Sequence, residues 1–396
     1  MSVQSGAVLV RDVLSSYAGE VFRPMPRVDQ RRWAEVYLRG LLAVEGKKTV
    51  RRIAEDVLSL PAHQSLQQFI NQSPWGWGPV RRELVSYLNR RDEVQAWVLA
   101  RTAIPKRGDR SVGVGRHFLP EEGRLVNSQI GLAVVQATRH AGVPVNWRLL
   151  LSRQWLADAE RREAAYIPEG VNANPQSTDF LEMLDELAGP WQGPTAPVVA
   201  DLRSLPDADR LICGLGERGL GFALEVDGSL QVSGGAPISA NSPSRPHFGG
   251  PLGRAMSALE YVFLRLHRRR AGADGAPRHP KIISSAVRLP AHDAWADGTT
   301  GAEARPFREV RLLSELSPTG VPTRFWVTSL ADQGVESVMT RARLVKRTQD
   351  ELQALESLGL RDFEGRSFRG WHHHMTMVSA ASAFDRFGWE PESSAP

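Results

Sequence analysis

The run Trp371-His372-His373-His374 carries the side chains whose type most directly indicates chemistry, because imidazole is a common metal ligand. Successive residues of a helix point about 100° apart, so only two of these three imidazoles can readily converge on one ion. No carboxylate or cysteine lies nearby in the sequence to complete a coordination shell. We therefore predict a structural or surface-recognition role for Trp371 and His372 and no metal site, with a metal or catalytic site as the alternative.

A carboxylate and a glycine-rich run follow apolar segments in the middle of the chain. Pro197–Asp201 reads as a buried strand that ends in Asp201. Gly214–Gly219 has the spacing G-x-G-x-x-G, but a strand pattern rather than a helix follows it at Leu220–Val226. We predict a glycine-rich turn between two strands there, and no dinucleotide site. Cys213, the only cysteine, is expected to be a structural thiol.

Composition restricts the class of protein. The chain has 396 residues, of which 42% are hydrophobic and 23% charged, as in folded globular proteins. No apolar run reaches the length of a transmembrane helix, and the first residues lack the pattern of a secretory signal. One cysteine excludes a disulfide framework and a cysteine-rich zinc site, so we expect a cytoplasmic protein. A net charge of +5 permits nucleic-acid binding without requiring it.

The elements that would position these residues follow from hydrophobic periodicity. Residues 1–92 have helical spacing and predict a helical N-terminal domain. Strand patterns begin at Val94, and we divide the rest of the chain into 93–226, 227–330 and 331–396. Predicted strands are Val94–Ile104, Ser111–Phe118, Leu125–Ala137, Trp147–Leu151, Pro197–Asp201, Leu220–Val226, Lys281–Leu289, Glu309–Leu316 and Thr323–Leu330, with a long helix from about Val335 to Leu358 and a last helix to Phe387.

Two predicted helices carry clustered basic residues. Arg268 and Arg269 end a basic helix that covers about Gly253–Arg270, and Arg343 and Arg347 lie on the long C-terminal helix. Such residues could contact phosphates. They are also common on solvated helix faces and at helix C-termini, where the helix dipole favours positive charge.

The remaining informative segment is a hairpin. The run Trp97–Gly108 is an apolar strand that passes through Ala100 and Arg101 into a Pro-Lys-x-Gly turn, and Ser111-Val112-Gly113-Val114 follows it. Further ordered motifs are Gln30-Arg31-Arg32, Tyr37-Leu38 with Gly40-Leu41-Leu42, Leu66-Gln67-Gln68-Phe69, Ser73-Pro74-Trp75, Asn127 with Gln129, Trp147-Arg148-Leu149, Trp155 with Asp158, Arg161 and Arg162, and Glu364-Gly365-Arg366-Ser367 with Gly370-Trp371-His372. These motifs extend over nearly the whole chain. Through them the sequence resembles bacterial insertion-sequence transposases of the 701 type, a branch of the DDE superfamily.

The resemblance implies an α/β fold: an RNase H-like core with a mixed sheet, preceded by the helical N-terminal domain. It also implies a site at which two Asp and one Glu hold two magnesium ions about 4 Å apart. Asp201 matches the second Asp. Ala100 and Arg101 stand where the first should be. The Glu and the Lys of the family's Glu-x6-Lys spacing are replaced by Thr348 and Leu355, with Glu351 as a nearby substitute for the Glu. We therefore predict a degenerate member of the family without strand-transfer activity.

The sequence allows two interpretations of Arg101. It could pair with Asp201 in place of a metal-mediated bridge, or the two residues could belong to a new anion-binding or acid–base pocket. The residues expected to bind DNA or another ligand are Lys106, Arg116, His117, Arg268, Arg269, Arg343, Arg347, Trp371 and His372.

The sequence is compatible with three functions. The first is a DNA-binding or regulatory protein that needs no cofactor and has no membrane association, with a homodimer as a possible assembly. The second is an enzyme recruited to a small-molecule substrate in bacterial secondary metabolism, with a pocket around Arg101, Lys106, His117, Asp201 and the three histidines. The third is a magnesium-dependent nuclease with the displaced carboxylates Asp109, Asp201 and Glu351.

Overall fold

The computed structural model describes residues 3–58, 62–119, 122–230, 281–289, 308–317 and 322–388. The predicted basic helix with Arg268 and Arg269 lies outside these ranges. In chain order the elements are α1 (Val3–Val21), α2 (Val28–Ala43), α3 (Val50–Leu58), α4 (His63–Asn71), α5 (Trp77–Asn89), β1 (Val94–Pro105), β2 (Gly115–Leu119), β3 (Arg124–Thr138), β4 (Gly142–Leu149), α6 (Arg153–Ala157), α7 (Ala159–Ala164), α8 (Gln176–Ala188), β5 (Val198–Asp201), α9 (Ala208–Glu217), β6 (Phe222–Val226), β7 (Lys281–Leu289), β8 (Arg308–Leu316), β9 (Pro322–Thr328), α10 (Val335–Ala342), α11 (Leu344–Ala354), a 3₁₀ turn (Leu355–Leu358) and α12 (Phe368–Phe387).

The chain forms two compact units, one of residues 1–195 with 346–396 and the other of residues 196–345. Helices dominate the N-terminal part, and strands of mixed direction follow. The predicted fold class, an RNase H-like α/β fold with a mixed sheet and a helical N-terminal part, is confirmed. The predicted boundaries at 92/93, 226/227 and 330/331 stay predictions.

The sheet of the first unit is antiparallel and is organised around β3. Strand β1 pairs along one edge of β3, and β2 and then β4 pair along the other. The strand predicted over Ser111–Phe118 is wrong in its first half, because only Gly115–Leu119 pairs. Ser111–Val114 forms a turn in which Gly113 has φ of +72°, and a Cβ there would lie 3.1 Å from the Leu149 side chain.

The second unit contains a mixed sheet. β5 and β6 run parallel, β6 pairs antiparallel with β9, and β8 lies between β9 and β7. The turn predicted around Gly214 is wrong, because Ala208–Glu217 is a helix that buries Leu211, Ile212 and Leu215. Their spacing is that of an apolar helix face, which outweighs the low helix propensity of glycine. The long C-terminal helix is interrupted at Arg343, between α10 and α11.

The core of the first unit is built around α12, which is buried from Trp371 to Phe384. His373 stacks on Trp75 at 3.7 Å, and its ring nitrogens lie 2.9 Å from the carbonyl oxygens of Ile70 and Trp75. His374 lies 2.9 Å from both the Tyr37 hydroxyl and the Gly359 carbonyl oxygen. The three histidines are therefore packing residues of the core, and the neutral His373 ring donates to one of its two carbonyl neighbours.

Arg81 on α5 joins the helices of this core to the sheet. Its guanidinium is 1% exposed and donates hydrogen bonds to Thr376 Oγ1 at 2.9 Å, Asn146 Oδ1 at 3.0 Å and the Trp147 carbonyl at 2.9 Å. It also donates to the His372 carbonyl at 3.2 Å and lies 3.3 Å from His372 Nδ1. Burial lowers the pKa of Arg81 to about 9, so it remains charged at neutral pH.

The buried histidines make stability depend on pH. Burial lowers the pKa of His372 well below 6.5, that of His373 to about 4 and that of His374 to about 3. As pH falls below 6.5 the unfolded chain binds protons at these residues and the folded chain does not, so the free energy of unfolding falls. We expect a contribution of about 1.4 kcal/mol per pH unit from His374 near pH 5, measured by urea unfolding at a series of pH values. His374→Gln should reduce the slope by that amount, and an unaltered slope in this variant would contradict the assignment.

Candidate nucleic-acid interface

Half of the residues that line a groove of about 740 Å³ on the first unit are cationic. We refer to this surface as the basic groove. Its cationic residues are Lys47, Lys106, Arg107, Arg110, Arg361 and Arg366. Asp109 and Glu364 also line it, so positive side chains outnumber negative ones by six to two. A concave surface with this excess of positive charge suits a polyanion.

The turn after β1 forms one wall of the groove. The Lys106 N–H donates to the Asn127 carbonyl at 2.9 Å, and Asn127 Nδ2 donates to the carbonyls of Lys106 at 3.0 Å and Gly108 at 2.6 Å. Gly108 has φ of +80°, which favours glycine in this tight turn. Asn127 therefore fixes a turn that carries three of the cations.

The opposite wall is the segment that leads into α12, and Lys106 connects the two. Lys106 Nζ donates to the carbonyl oxygens of Phe363 at 2.6 Å and Arg361 at 3.3 Å. Burial lowers the pKa of Lys106 to about 8. Lys106 thus acts chiefly as a structural tie between two segments that are more than 250 residues apart in sequence.

The exposed arginines provide the charge available for binding. Arg107, Arg110 and Arg366 are exposed, and no described carboxylate lies within ion-pair distance of them. Lys47 pairs with Glu364, and Arg361 Nη2 lies 2.6 Å from Glu356 Oε1. An Arg side chain presents a planar set of donors that matches phosphate, so these three arginines are the main candidates for phosphate contacts.

Arg101 lies within β1 opposite Leu132, and the strand continues to Pro105. His117 on β2 pairs with Val126, which places it on the same face of the sheet as Arg101, because side chains alternate along β3. Burial and then the charge of Arg101 lower the pKa of His117. The structure therefore places Arg101 and His117 on one face of the sheet, where the charge of Arg101 acts on the imidazole.

The other predicted binding residues separate into surface and structural groups. Arg116 and Arg343 are exposed. Arg347 donates to the carbonyl oxygens of Thr138 at 2.5 Å and Arg139 at 2.9 Å, so it holds the turn between β3 and β4. Trp371 and His372 lie in the core described above.

Asp201 ends β5, as its position in the sequence predicts, but an arginine holds its carboxylate. Arg203 Nε donates to Oδ1 at 2.9 Å and Nη2 donates to Oδ2 at 2.6 Å. Burial would raise the pKa of Asp201, but these bonds and the Arg203 N–H outweigh it, so the pKa is lowered. Glu225, the neighbour of Asp201 on β6, accepts two bonds of 2.8 Å from Arg324. Arginines therefore neutralise both carboxylates.

The two-metal site of the DDE superfamily does not fit these residues. Both oxygens of Asp201 bind Arg203, and a cation occupies position 101. Thr348 is fully buried, and its hydroxyl has no hydrogen-bond partner in the described part of the chain. Glu351 is half-buried against Gly142, where a Cβ would collide with its carboxylate. Within the described ranges, no group of three or more His, Cys, Asp or Glu could hold a metal ion.

The fold and these positions define an α/β protein of the RNase H-like DDE class. A family model described as DDE superfamily endonuclease matches residues 20–287, and the chain belongs to this family. No curated protein matches the chain at a significant level. None of the helices within the described ranges is both long and apolar enough to span a membrane.

The electrostatic effect of Arg101 on His117 can be tested by titration. We expect Arg101→Gln to raise the pKa of His117 towards 6.5, because it removes a nearby cation. The measurement is an NMR titration of the His117 ring proton, assigned with His117→Gln. Arg116→Gln removes a charge from the opposite face of β2 and should leave the pKa of His117 unchanged. A His117 pKa that does not respond to Arg101→Gln would show that the two side chains do not face each other.

Proposed function

We propose that this chain is a degenerate member of the DDE superfamily, of the 701 type, that binds DNA without catalysing strand transfer. The observation that carries the proposal is the basic groove, with six cationic side chains and two carboxylates around one cavity. Action on DNA would agree with the expected cytoplasmic location. A regulatory role for the DNA-bound protein is part of the same proposal.

The geometry of the groove supports phosphate binding in preference to base recognition. Its exposed arginines lie on a turn and a loop at the surface, where they can contact the continuous sugar-phosphate backbone of DNA. Each phosphate neutralised by Lys or Arg releases counterions from DNA. Affinity should therefore fall steeply with salt and depend weakly on sequence.

The DNA-binding proposal predicts a measurable salt dependence. Binding of a labelled mixed-sequence duplex, followed by fluorescence anisotropy between about 50 and 200 mM KCl, should weaken linearly on a double-logarithmic plot. Arg107→Gln/Arg110→Gln should reduce the magnitude of the slope by about 2, because two phosphate contacts are removed.

Arg32→Gln/Arg82→Gln removes the same number of charges from exposed positions on α2 and α5 and is the matched control. It should keep the wild-type slope. Equal slopes in the two double variants would place the DNA elsewhere, and absence of salt-dependent binding by the wild-type protein would refute the proposal.

The loss of catalysis is tested with a supercoiled plasmid. We expect no magnesium-dependent nicking by the wild-type protein above the level of Asp201→Asn, because Arg203 holds both oxygens of Asp201 and Thr348 offers no carboxylate. The readout is conversion to the open-circular form on a gel. Nicking that requires magnesium and disappears in Asp201→Asn would instead support the nuclease hypothesis.

The hypothesis of recruitment to a small molecule receives less support from the structure. Its expected pocket combines Lys106 with the histidines of α12, but Lys106 lies in the basic groove and the histidines lie in the core. His372 borders a different cavity, between α5 and α8. We therefore favour the DNA-binding function.

A further inference from the structure

The hairpin of β2 and β3 carries an apolar pair that the protein core does not use. Phe118 and Leu125 lie directly opposite each other in the register of the two strands. Their exposed fractions are 57% and 52%, among the largest of the apolar side chains in the described ranges. Apolar side chains exposed together on a strand pair indicate a contact surface more than isolated ones do.

The face that carries this pair is also cationic. Side chains alternate along β2, so Arg116 projects from the same face as Phe118, and its cross-strand partner is Asn127. Arg116 is exposed. The face therefore presents two adjacent apolar side chains and then a guanidinium.

This face is continuous with the basic groove. Asn127 donates its two hydrogen bonds to the carbonyl oxygens of Lys106 and Gly108, in the turn that forms one wall of the groove. Leu125 lies two residues further along β3, which is about 7 Å in an extended strand. A polyanion that lies in the groove therefore passes close to the apolar pair.

We infer that Phe118 and Leu125 form an apolar wedge that inserts between base pairs of duplex DNA held in the basic groove, and this rests on the proposed function. Positive charge beside the wedge favours DNA over an uncharged protein partner. Proteins that bend DNA insert Phe and Leu in this way, beside Arg contacts. The wedge would unstack a base step and bend the duplex.

The inference is tested on the same duplex, labelled at both ends to report bending by energy transfer and treated with permanganate to detect unstacked thymines. The wild-type protein should increase both signals. Phe118→Ala/Leu125→Ala should abolish both and weaken binding about tenfold, while the slope against salt stays unchanged because the phosphate contacts remain. Phe118→Tyr should keep the distortion.

Val28→Ala removes another exposed apolar side chain, at the start of α2, and should behave as wild type. Unfolding midpoints of all variants are compared to show that they remain folded. DNA binding without distortion by the wild-type protein, or equal distortion by the double variant, overturns the inference and leaves the proposed function intact. Conversion of a dimer to a monomer by the double variant, with DNA distortion unchanged, would assign the surface to a second copy. Absence of salt-dependent binding would refute the proposed function itself.

Discussion

The buried guanidinium of Arg81 is the interaction on which the first unit depends. It is the point at which α5, β4 and α12 are bonded to one another, through Thr376, Asn146 and the main chain at Trp147 and His372. A buried charge is tolerated only where polar groups surround it. Its bonds to Thr376 and to the His372 carbonyl hold α12 against the strand that carries Trp147. The segment before α12 forms a wall of the basic groove, and it is joined to the end of α12 that these bonds hold.

Arginine also determines the chemistry that is available at Asp201 and Glu225 in the second unit. A guanidinium supplies directional donors to a carboxylate but offers neither a coordination site nor a water to activate. Both carboxylate oxygens of Asp201 accept hydrogen bonds from Arg203. Arg324 holds both oxygens of Glu225 in the same way. The two carboxylates are structural residues of the sheet in the second unit, while Arg107, Arg110 and Arg366 of the first unit are exposed.

Local patterns in the sequence predicted the elements better than the contacts. The strand that ends in Asp201 was predictable from an apolar run of four residues, and the structural role of His372 from its place in a run of three. Gly214 was misleading because glycine suggests a turn, whereas the spacing of its apolar neighbours favours a helix. The groove was predictable only in part, since Lys106 was identified but Arg361 and Arg366 lie far away in the chain. Arg81 and Arg82 are adjacent residues of the same type, and nothing in the sequence indicates that the fold buries Arg81 and exposes Arg82.

Thr348 shows how strongly packing restricts the side chain at the position where the family resemblance implies a glutamate. Its side chain is completely enclosed, and even its own hydroxyl lacks a partner among the described residues. A single codon change to glutamate would place a longer, charged side chain in that enclosed position, with a penalty of several kcal/mol before any metal could compensate. The packing around this one threonine therefore sets a free-energy cost on any glutamate at position 348, independent of the other residues of the site.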